Sequence, residues 1–419
     1  MYSARVAFVL LLTLICTPAM AELSIKPSLQ AGVRYDTNPR YRSSEQDIES
    51  AQGLLLDLRL PIEYRLQRSS VSLTPRVVYS FYRKEENADL EDEDMYLTGT
   101  ASQRFRQSNI GASYGYTDLS LRTSELSEEG SGTSLFSTDD SQKTWYFQPY
   151  WQYQFSQANS IALNGGYTEV RYDEERVSRR FDYDFSNASV TLQHAFNAQH
   201  SVSLQARFTK FDSENVAISI RNNSESNNLN LIYSYSWSER TTLSATVGLA
   251  RTKSVVERPN AIDPDTGLFC DPALIQFFPC ENKSDSTNFT GNLTASHQSE
   301  TIEYRFVFGQ SLTPNSNGAE VLRFNINATA NKKFSQRISG QLGLSAFTDK
   351  NLGNTEFDFN RDYLRGKLRV NYRFTRSWSF YGMYQYTINQ QDRILIDDFK
   401  SKNHFFSVGI KFQGDGWRW

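Results

Sequence analysis

From residue 23 to 412 the chain alternates apolar and polar side chains with a period of two. That period belongs to a β-strand, whose successive side chains point to opposite faces. "LSIKPSLQAGVRY" carries Leu23, Ile25, Leu29, Val33 and Tyr35 on one parity and Ser24, Lys26, Ser28, Gln30 and Arg34 on the other. "LLLDLRLPIEYRL" repeats the pattern, as do "VSLTPRVVYSF", "WYFQPYWQY", "NLNLIYSYSW", "TIEYRFVF" and "LRGKLRVNYRF". About eighteen such stretches follow one another, most of about 9–13 residues, close to the length of a tilted strand that crosses a hydrocarbon layer.

The connections alternate in length. "QRSS" (67–70), "SQAN" (156–159), "NAQH" (197–200), "SERT" (238–241) and "TRS" (375–377) are tight turns. Between them lie long polar segments, the third over about 119–142 and the sixth over about 252–285. Tight turns at one end and long loops at the other define a transmembrane antiparallel up-and-down β-barrel, all-β, of about 18 strands, with 16 as the other even count. A β-propeller packs four short strands into each repeat, and here each repeat holds two long ones. A soluble sandwich leaves the regular short/long alternation unexplained. An open sheet edge in lipid would strand backbone polar groups, so the barrel must close. Closure pairs "HFFSVGIKF" with "LSIKPSLQAG" and leaves both termini in the periplasm.

Aromatic residues on the apolar parity cluster at both strand ends. Tyr64, Phe105, Tyr153, Trp237, Phe374, Trp378 and Phe412 lie near the tight turns. Tyr35, Phe81, Tyr116, Trp145, Tyr183, Phe208, Phe308 and Tyr386 lie near the long loops. These match the two interfacial girdles of a membrane barrel.

The N-terminus changes the picture in one respect. "VAFVLLLTLI" after "MYSAR" is too short to span a bilayer as a helix, and "AMA" offers small residues for cleavage. Residues 1–21 read as a signal peptide that takes Cys16 with it, and 22–419 as one barrel with a short tail at 413–419. The expected location is the bacterial outer membrane. A net charge of −3 over 419 residues argues against a nucleic-acid binder of the basic-patch kind.

The polar parity, which faces the lumen, is basic. It holds Lys26, Arg34, Arg59, Arg65, Arg76, Arg104, Arg207, Arg305, Arg323 and Lys411, and on "LRGKLRVNYRF" a ladder of Arg365, Lys367, Arg369 and Arg373. Asp57, Glu63 and Glu303 are its clear acidic members. A positive, low-dielectric channel concentrates anions. The competing reading has these cations cross-linking the wall or holding loops folded inward. Tyr146, Tyr150 and Tyr381 share the lumen parity and could stack on sugar rings.

The loops are acidic. "KEENADLEDED" (84–94) reads as a solvated loop tip; bridging lipopolysaccharide through a divalent cation is the weaker alternative, because calcium-loop spacing is missing. Cys270 and Cys280, in the sixth loop, read as one disulfide stapling it. No metal site and no cofactor is expected. His194, His200 and His297 fall at the tight turns and His404 at the loop rim, so no catalytic grouping is expected either.

"IKPSLQAGVRYDTNPRY" resembles the start of the outer-membrane β-barrel porins associated with exopolysaccharide export, which begin with a Pro-Ser strand and a Tyr-Asp-x-Asn corner, here Tyr35, Asp36, Thr37 and Asn38. The resemblance implies an outer-membrane channel, an exit for a secreted polysaccharide, with no catalytic motif. The C-terminus departs from the usual pattern: Phe412 fits the terminal aromatic, but "QGDGWRW" follows. A plug domain before the first strand, as in TonB-dependent transporters, is not expected. The partners expected are membrane lipid and lipopolysaccharide, the barrel assembly machinery, and a polysaccharide cargo or periplasmic export partner. The first functional reading is a passive channel for anionic or saccharide cargo. The alternative is a structural or adhesive barrel, closed by its loops and acting through them; loops 3 and 6 are long enough to enter the pore.

Overall fold

The computed structural model describes residues 22–39, 41, 43, 48–83, 90–125, 141–173, 181–215, 220–257, 281–314, 320–351, 359–393 and 399–418. Residues 1–21, the loop tip 84–89, and Cys270 and Cys280 lie outside the described residues.

Alternating sequence forms alternating-face strands throughout. The segments are β1 (Glu22–Ile25), β2 (Ser28–Asp36), β3 (Ala51–Arg59), β4 (Ile62–Arg65), β5 (Ser69–Arg83), β6 (Leu90–Arg104) and β7 (Ser108–Ser120). A single helical turn, α1 (Leu121–Glu125), precedes β8 (Ser141–Gln154), β9 (Asn159–Tyr172), β10 (Asp182–Ala195), β11 (His200–Asn215) and β12 (Ile220–Ser238). The remainder are β13 (Thr241–Glu257), β14 (Glu281–Gln298), β15 (Ile302–Pro314), β16 (Glu320–Lys333), β17 (Ile338–Asn351), β18 (Phe359–Arg373), β19 (Trp378–Arg393), β20 (Phe399–Gln413) and β21 (Trp417–Arg418).

Three wall strands are each broken into two segments, β1/β2, β3/β4 and β20/β21, so the twenty-one segments make an 18-stranded barrel. Two of the breaks contain Pro27 and Pro61, whose ring nitrogens donate nothing to a ladder. Neighbours in sequence pair antiparallel all round, and the barrel closes where β2 meets β20, from Ser28↔Gln413 to Asp36↔Phe405. The last residues are no loose tail: Gly414 N donates to Pro27 O, Gly416 takes a φ of 83°, and β21 pairs with β1. The final strand is therefore longer than Phe412.

The apolar parity lies outside. Leu54, Leu229, Leu249, Phe289, Leu342, Leu368 and Val408 are exposed large hydrophobics, as a lipid-facing belt requires. Full strands run to 19 residues in β12, longer than a bilayer needs, because pairing continues above the membrane. There the outer face turns charged: Arg171 reaches Asp184 at 2.9 Å, and Arg251 bonds Asp285 through both carboxylate oxygens at 3.0 and 2.6 Å. The acidic stretch 84–94 is likewise part strand: Leu90–Asp94 opens β6, and Asp92 and Asp94 point inward and are buried. Asp94 accepts hydrogen bonds from Ser120 N (2.9 Å) and Thr123 Oγ1 (2.8 Å), holding the entrance to α1.

What core the barrel has lies inside its extracellular half. Tyr82, Phe211, Ser226, Arg361, Thr387, Asn389 and Ser401 face inward near the loop ends, and all are buried almost completely. Arg59, Arg104, Arg305 and Arg373, on the same face toward the tight turns, are exposed. Among the described residues, inward-facing side chains are thus packed toward the loop ends and more exposed toward the tight turns.

Candidate functional site: the barrel lumen

Every cation in the predicted ladder faces inward, but the set divides by what it touches. Arg76 grips Asp57 with two parallel bonds, Nε to Oδ1 at 2.9 Å and Nη2 to Oδ2 at 2.8 Å, and lies over the Tyr96 ring. Arg323 does the same to Asp349 at 2.6 and 2.7 Å, with its guanidinium 4.1 Å from the Phe347 ring centre. Arg34 donates to Tyr82 OH, and Arg65 bonds Glu63 at the periplasmic rim. On β18, Arg369 donates to Asn371 and reaches along the wall to Gln30 Oε1 (3.1 Å) on β2, while Arg373 donates to the Gln336 carbonyl of a tight turn. Arg365 sits 6.0 Å from the Tyr363 ring, Lys367 points inward beside it, and Lys26 lies half-buried at the β1/β2 break. Arg34, Arg65, Arg76, Arg323, Arg369 and Arg373 are thus bonded to the wall.

A second group does not. Among the described residues Arg59, Arg207, Arg305 and Lys411 make no ion pair. Arg59, Arg369 and Lys411 are electrostatic neighbours around the single carboxylate of Asp57. Asp57 is already held by Arg76, so this patch at mid-lumen carries an excess of positive charge.

The three tyrosines face the lumen but lie flat. A Cβ on Gly115 or Gly111 would strike Tyr146 or Tyr150, so each ring covers a glycine of β7. Tyr146 and Tyr150 are half-buried. Tyr381 does not: it lies over Gly32 and Gly409, bonds Ser407 Oγ, carries Arg369 on its other face at 4.7 Å, and is 4% exposed. It is a wall residue, not a stacking platform. Tyr183, placed in the outer girdle by the sequence pattern, also points inward; its partner across the ladder is Val170, on the lumen face of β9.

Three elements lean into the outer half of the lumen. At the first corner, Asp36 Oδ1 accepts from Asn38 N, Thr37 Oγ1 donates to Asn403 Oδ1, and Asn38 Nδ2 donates to Lys402 O. The Tyr-Asp-Thr-Asn corner is thus a clasp across the closing seam. At the start of loop 3, α1 drives Leu121 into a cluster of Val170, Tyr172, Tyr183 and Phe211 on the inner wall of β9–β11. The third element is the top of the β15–β16 hairpin. Pairing between β14 and β15 stops at Gly291↔Gln310, although β14 stays paired to β13 as far as Glu281. Glu320, at the start of β16, is instead bonded by Ser224 Oγ (2.6 Å) and Ser226 Oγ (3.0 Å) on β12. Three wall strands separate β16 from β12, so the start of β16 leans inward over that sector of the wall. Ser224 pairs with Phe211, so α1 and the hairpin meet on the same sector of wall.

The sequence pattern had pointed to loops 3 and 6 for such a role. The start of loop 3 fills it, residues 258–280 of loop 6 lie outside the described residues while its two ends extend β13 and β14, and the hairpin had no signal at all. Arg361, 1% exposed and bonded to Asn389, continues the β18 ladder on the same parity and could have been read from it. The histidines are all engaged locally: His194 with Asn159, His200 with Tyr233, His297 with Thr241 and His404 with Tyr384.

A closed barrel with an apolar outer belt and aromatic ends is the form in which β-strands cross an outer membrane. The chain is a bacterial outer-membrane β-barrel. No protein-family model matches it, and no curated protein matches it in sequence. Solved structures similar to it include the ferric-catecholate import receptor Fiu of E. coli K12 in its open form, at 8% identity and a TM-score of 0.47, covering 93% of this chain and 81% of that one. OccAB2 of Acinetobacter baumannii is similar at 12% identity and a TM-score of 0.44, over 95% and 98% of the two chains. OpdL of Pseudomonas aeruginosa follows at 12% and 0.41, over 93% and 99%. At these values the likeness is of barrel to barrel and carries nothing about cargo.

Proposed function

We propose that the protein is a porin-like channel passing anionic or saccharide solutes from the periplasmic side, with export of an acidic exopolysaccharide as the use that fits best. The observation that carries this reading is the mid-lumen patch of Arg59, Arg369 and Lys411, which has more positive charge than Asp57 can balance and opens toward the periplasm. Wall bracing alone would not need Arg59 and Lys411 unpaired. Charge of one sign in a narrow aqueous lumen raises the local concentration of the opposite ion.

Planar-bilayer recording tests this. The wild-type barrel should give a steady anion-selective current. Replacing Arg59, Arg369 and Lys411 with Gln should lower the anion preference without unfolding the barrel. The companion variant with Arg365, Lys367, Arg369 and Arg373 replaced by Gln should do so less, because it leaves Arg59 and Lys411 in place. Unchanged selectivity in both would assign the cations to bracing.

The packed outer lumen supports a second reading, a structural or adhesive barrel acting through its surface loops. It predicts no current from the wild type or from variants that undock α1.

A further inference from the structure

The inward lean of the β15–β16 hairpin leaves a polar cavity of about 150 Å³ between that hairpin and the inner wall of β10–β14. Arg207 and Glu320 stand on its lining, with Asn228, Asn325, Thr246 and Phe185. Within the lining Thr290 donates to Asn230, but the other side chains are not spent on one another. Arg207, Thr246 and Asn325 make no side-chain hydrogen bond among the described residues, and Asn228 Oδ1 is buried without a partner. An orphaned buried acceptor of this kind costs about 1–3 kcal/mol until something donates to it. Glu320 is positioned from behind by Ser224 and Ser226 and keeps acceptor capacity on its other lone pairs.

We propose that this cavity binds one uncharged sugar ring, a hexose-type polyol. The proposal deepens the channel reading, on which it rests for why a sugar would enter the lumen. Three features select this ligand. Arg207 and Glu320 have opposite formal charges, so the cavity is neutral overall and gives a ligand charge no net partner. A guanidinium fork and a carboxylate each engage a pair of vicinal hydroxyls, one donating and the other accepting. The amide and hydroxyl lining supplies further partners, and Phe185 offers an apolar surface for the ring's C–H face. A uronic acid would bring its carboxylate beside Glu320 and be disfavoured. The site is separate from the cationic patch at Asp57, which attracts charge without reading a sugar.

Saturation-transfer NMR and calorimetry on the purified barrel in detergent test this with glucose, galactose and mannose, each beside its uronic acid. At least one neutral hexose should bind, and its uronate should bind more weakly. R207Q should weaken the hexose by about tenfold or more, as expected on losing charge-assisted bonds. E320Q should narrow or reverse the preference over the uronate by removing the repelling charge. Unchanged thermal unfolding of both variants shows that they remain folded. Equal or tighter binding of the uronate by the wild type overturns the assignment, as does hexose binding that R207Q leaves unchanged, or no binding at all. Because binding is read without current, the two ideas separate. A barrel that binds hexose but does not conduct refutes the channel and keeps the site; an anion-selective barrel that binds none refutes the site.

Discussion

Leu121 is the residue through which loop 3 holds the outer lumen. It is 1% exposed, and its neighbours Val170, Tyr172, Tyr183 and Phe211 belong to three different wall strands. Burying a leucine fully is worth about 1.5–3 kcal/mol, and truncating one to alanine costs about 2–5 kcal/mol once the cavity is counted. The ladders of the wall do not depend on this side chain, so the loss falls on docking of α1 rather than on the barrel. At about 1.4 kcal/mol per factor of ten, Leu121→Ala weakens docking at least roughly thirtyfold. Leu121→Asp would leave a carboxylate in an apolar pocket and prevent docking. Both variants should raise open probability or conductance in planar bilayers, the aspartate more. Undocking can be followed independently at Ser124, which is 4% exposed: the thiol introduced by Ser124→Cys should react with a maleimide only when α1 leaves the wall. If that thiol labels readily in the Leu121→Asp background and the current is still unchanged, α1 does not obstruct the path and the argument fails.

Other expectations follow from single contacts. Asp349→Ala strands the buried guanidinium of Arg323, whose pair is only 8% and 4% exposed, and should cost about 3–5 kcal/mol in denaturant unfolding, with Asp349→Asn costing less. Asn38→Ala removes the bond to Lys402 O across the seam and should cost about 1–3 kcal/mol; combined with Thr37→Ala the losses should not add, because both side chains hold the same end of β20. Asp173, beyond the end of β9, is held below the usual carboxylate range by its bond to Lys143, with Ser141 assisting. Its folded-state pKa lies under its unfolded one, so its contribution is complete above about pH 4 and fades as the pH falls through the folded value. Because the pair is exposed, Asp173→Asn should differ from wild type by under about 1 kcal/mol at pH 7 and converge with it as the pH falls below the folded value.

The wall was legible because one physical fact, lipid outside and water inside, is written into every second residue. Leu364, Leu368, Val370 and Tyr372 had to face out if Arg365, Lys367 and Arg369 faced in. The same rule placed closure between the first and last strands, and an even count followed. It failed where an inward position was itself apolar. Tyr183 and Phe211 sit above the membrane, where neither face meets lipid and the alternation no longer distinguishes inside from outside. It also failed for contacts between strands that are not neighbours. Nothing near Glu320 in sequence names Ser224 or Ser226, and nothing near Arg369 names Gln30, because pairing rules connect a strand only to those beside it. The acidic run at 84–94 misled for a related reason: Asp92 and Asp94 look like loop charge, yet they terminate the lumen face of β6.

The lumen's polarity along its axis bears on direction. Toward the outside its charged groups are buried and hydrogen-bonded: Arg323 is paired with Asp349, Arg361 donates to Asn389, and Asp94 accepts from the entrance to α1. Toward the periplasm Arg59, Arg305 and Lys411 are unmatched, and the two arginines are exposed. A buried charge left without a partner is expensive, whereas a charge open to water is not, so this distribution is stable only while the outer end stays packed. On the proposed channel reading, the unmatched cations would draw an anion from the periplasmic side before anything at the outer end has to move. On that reading opening requires displacement of α1 and the start of β16, each held on the wall by one small set of contacts, and the docking of Leu121 and Glu320, rather than the pore wall, would control passage.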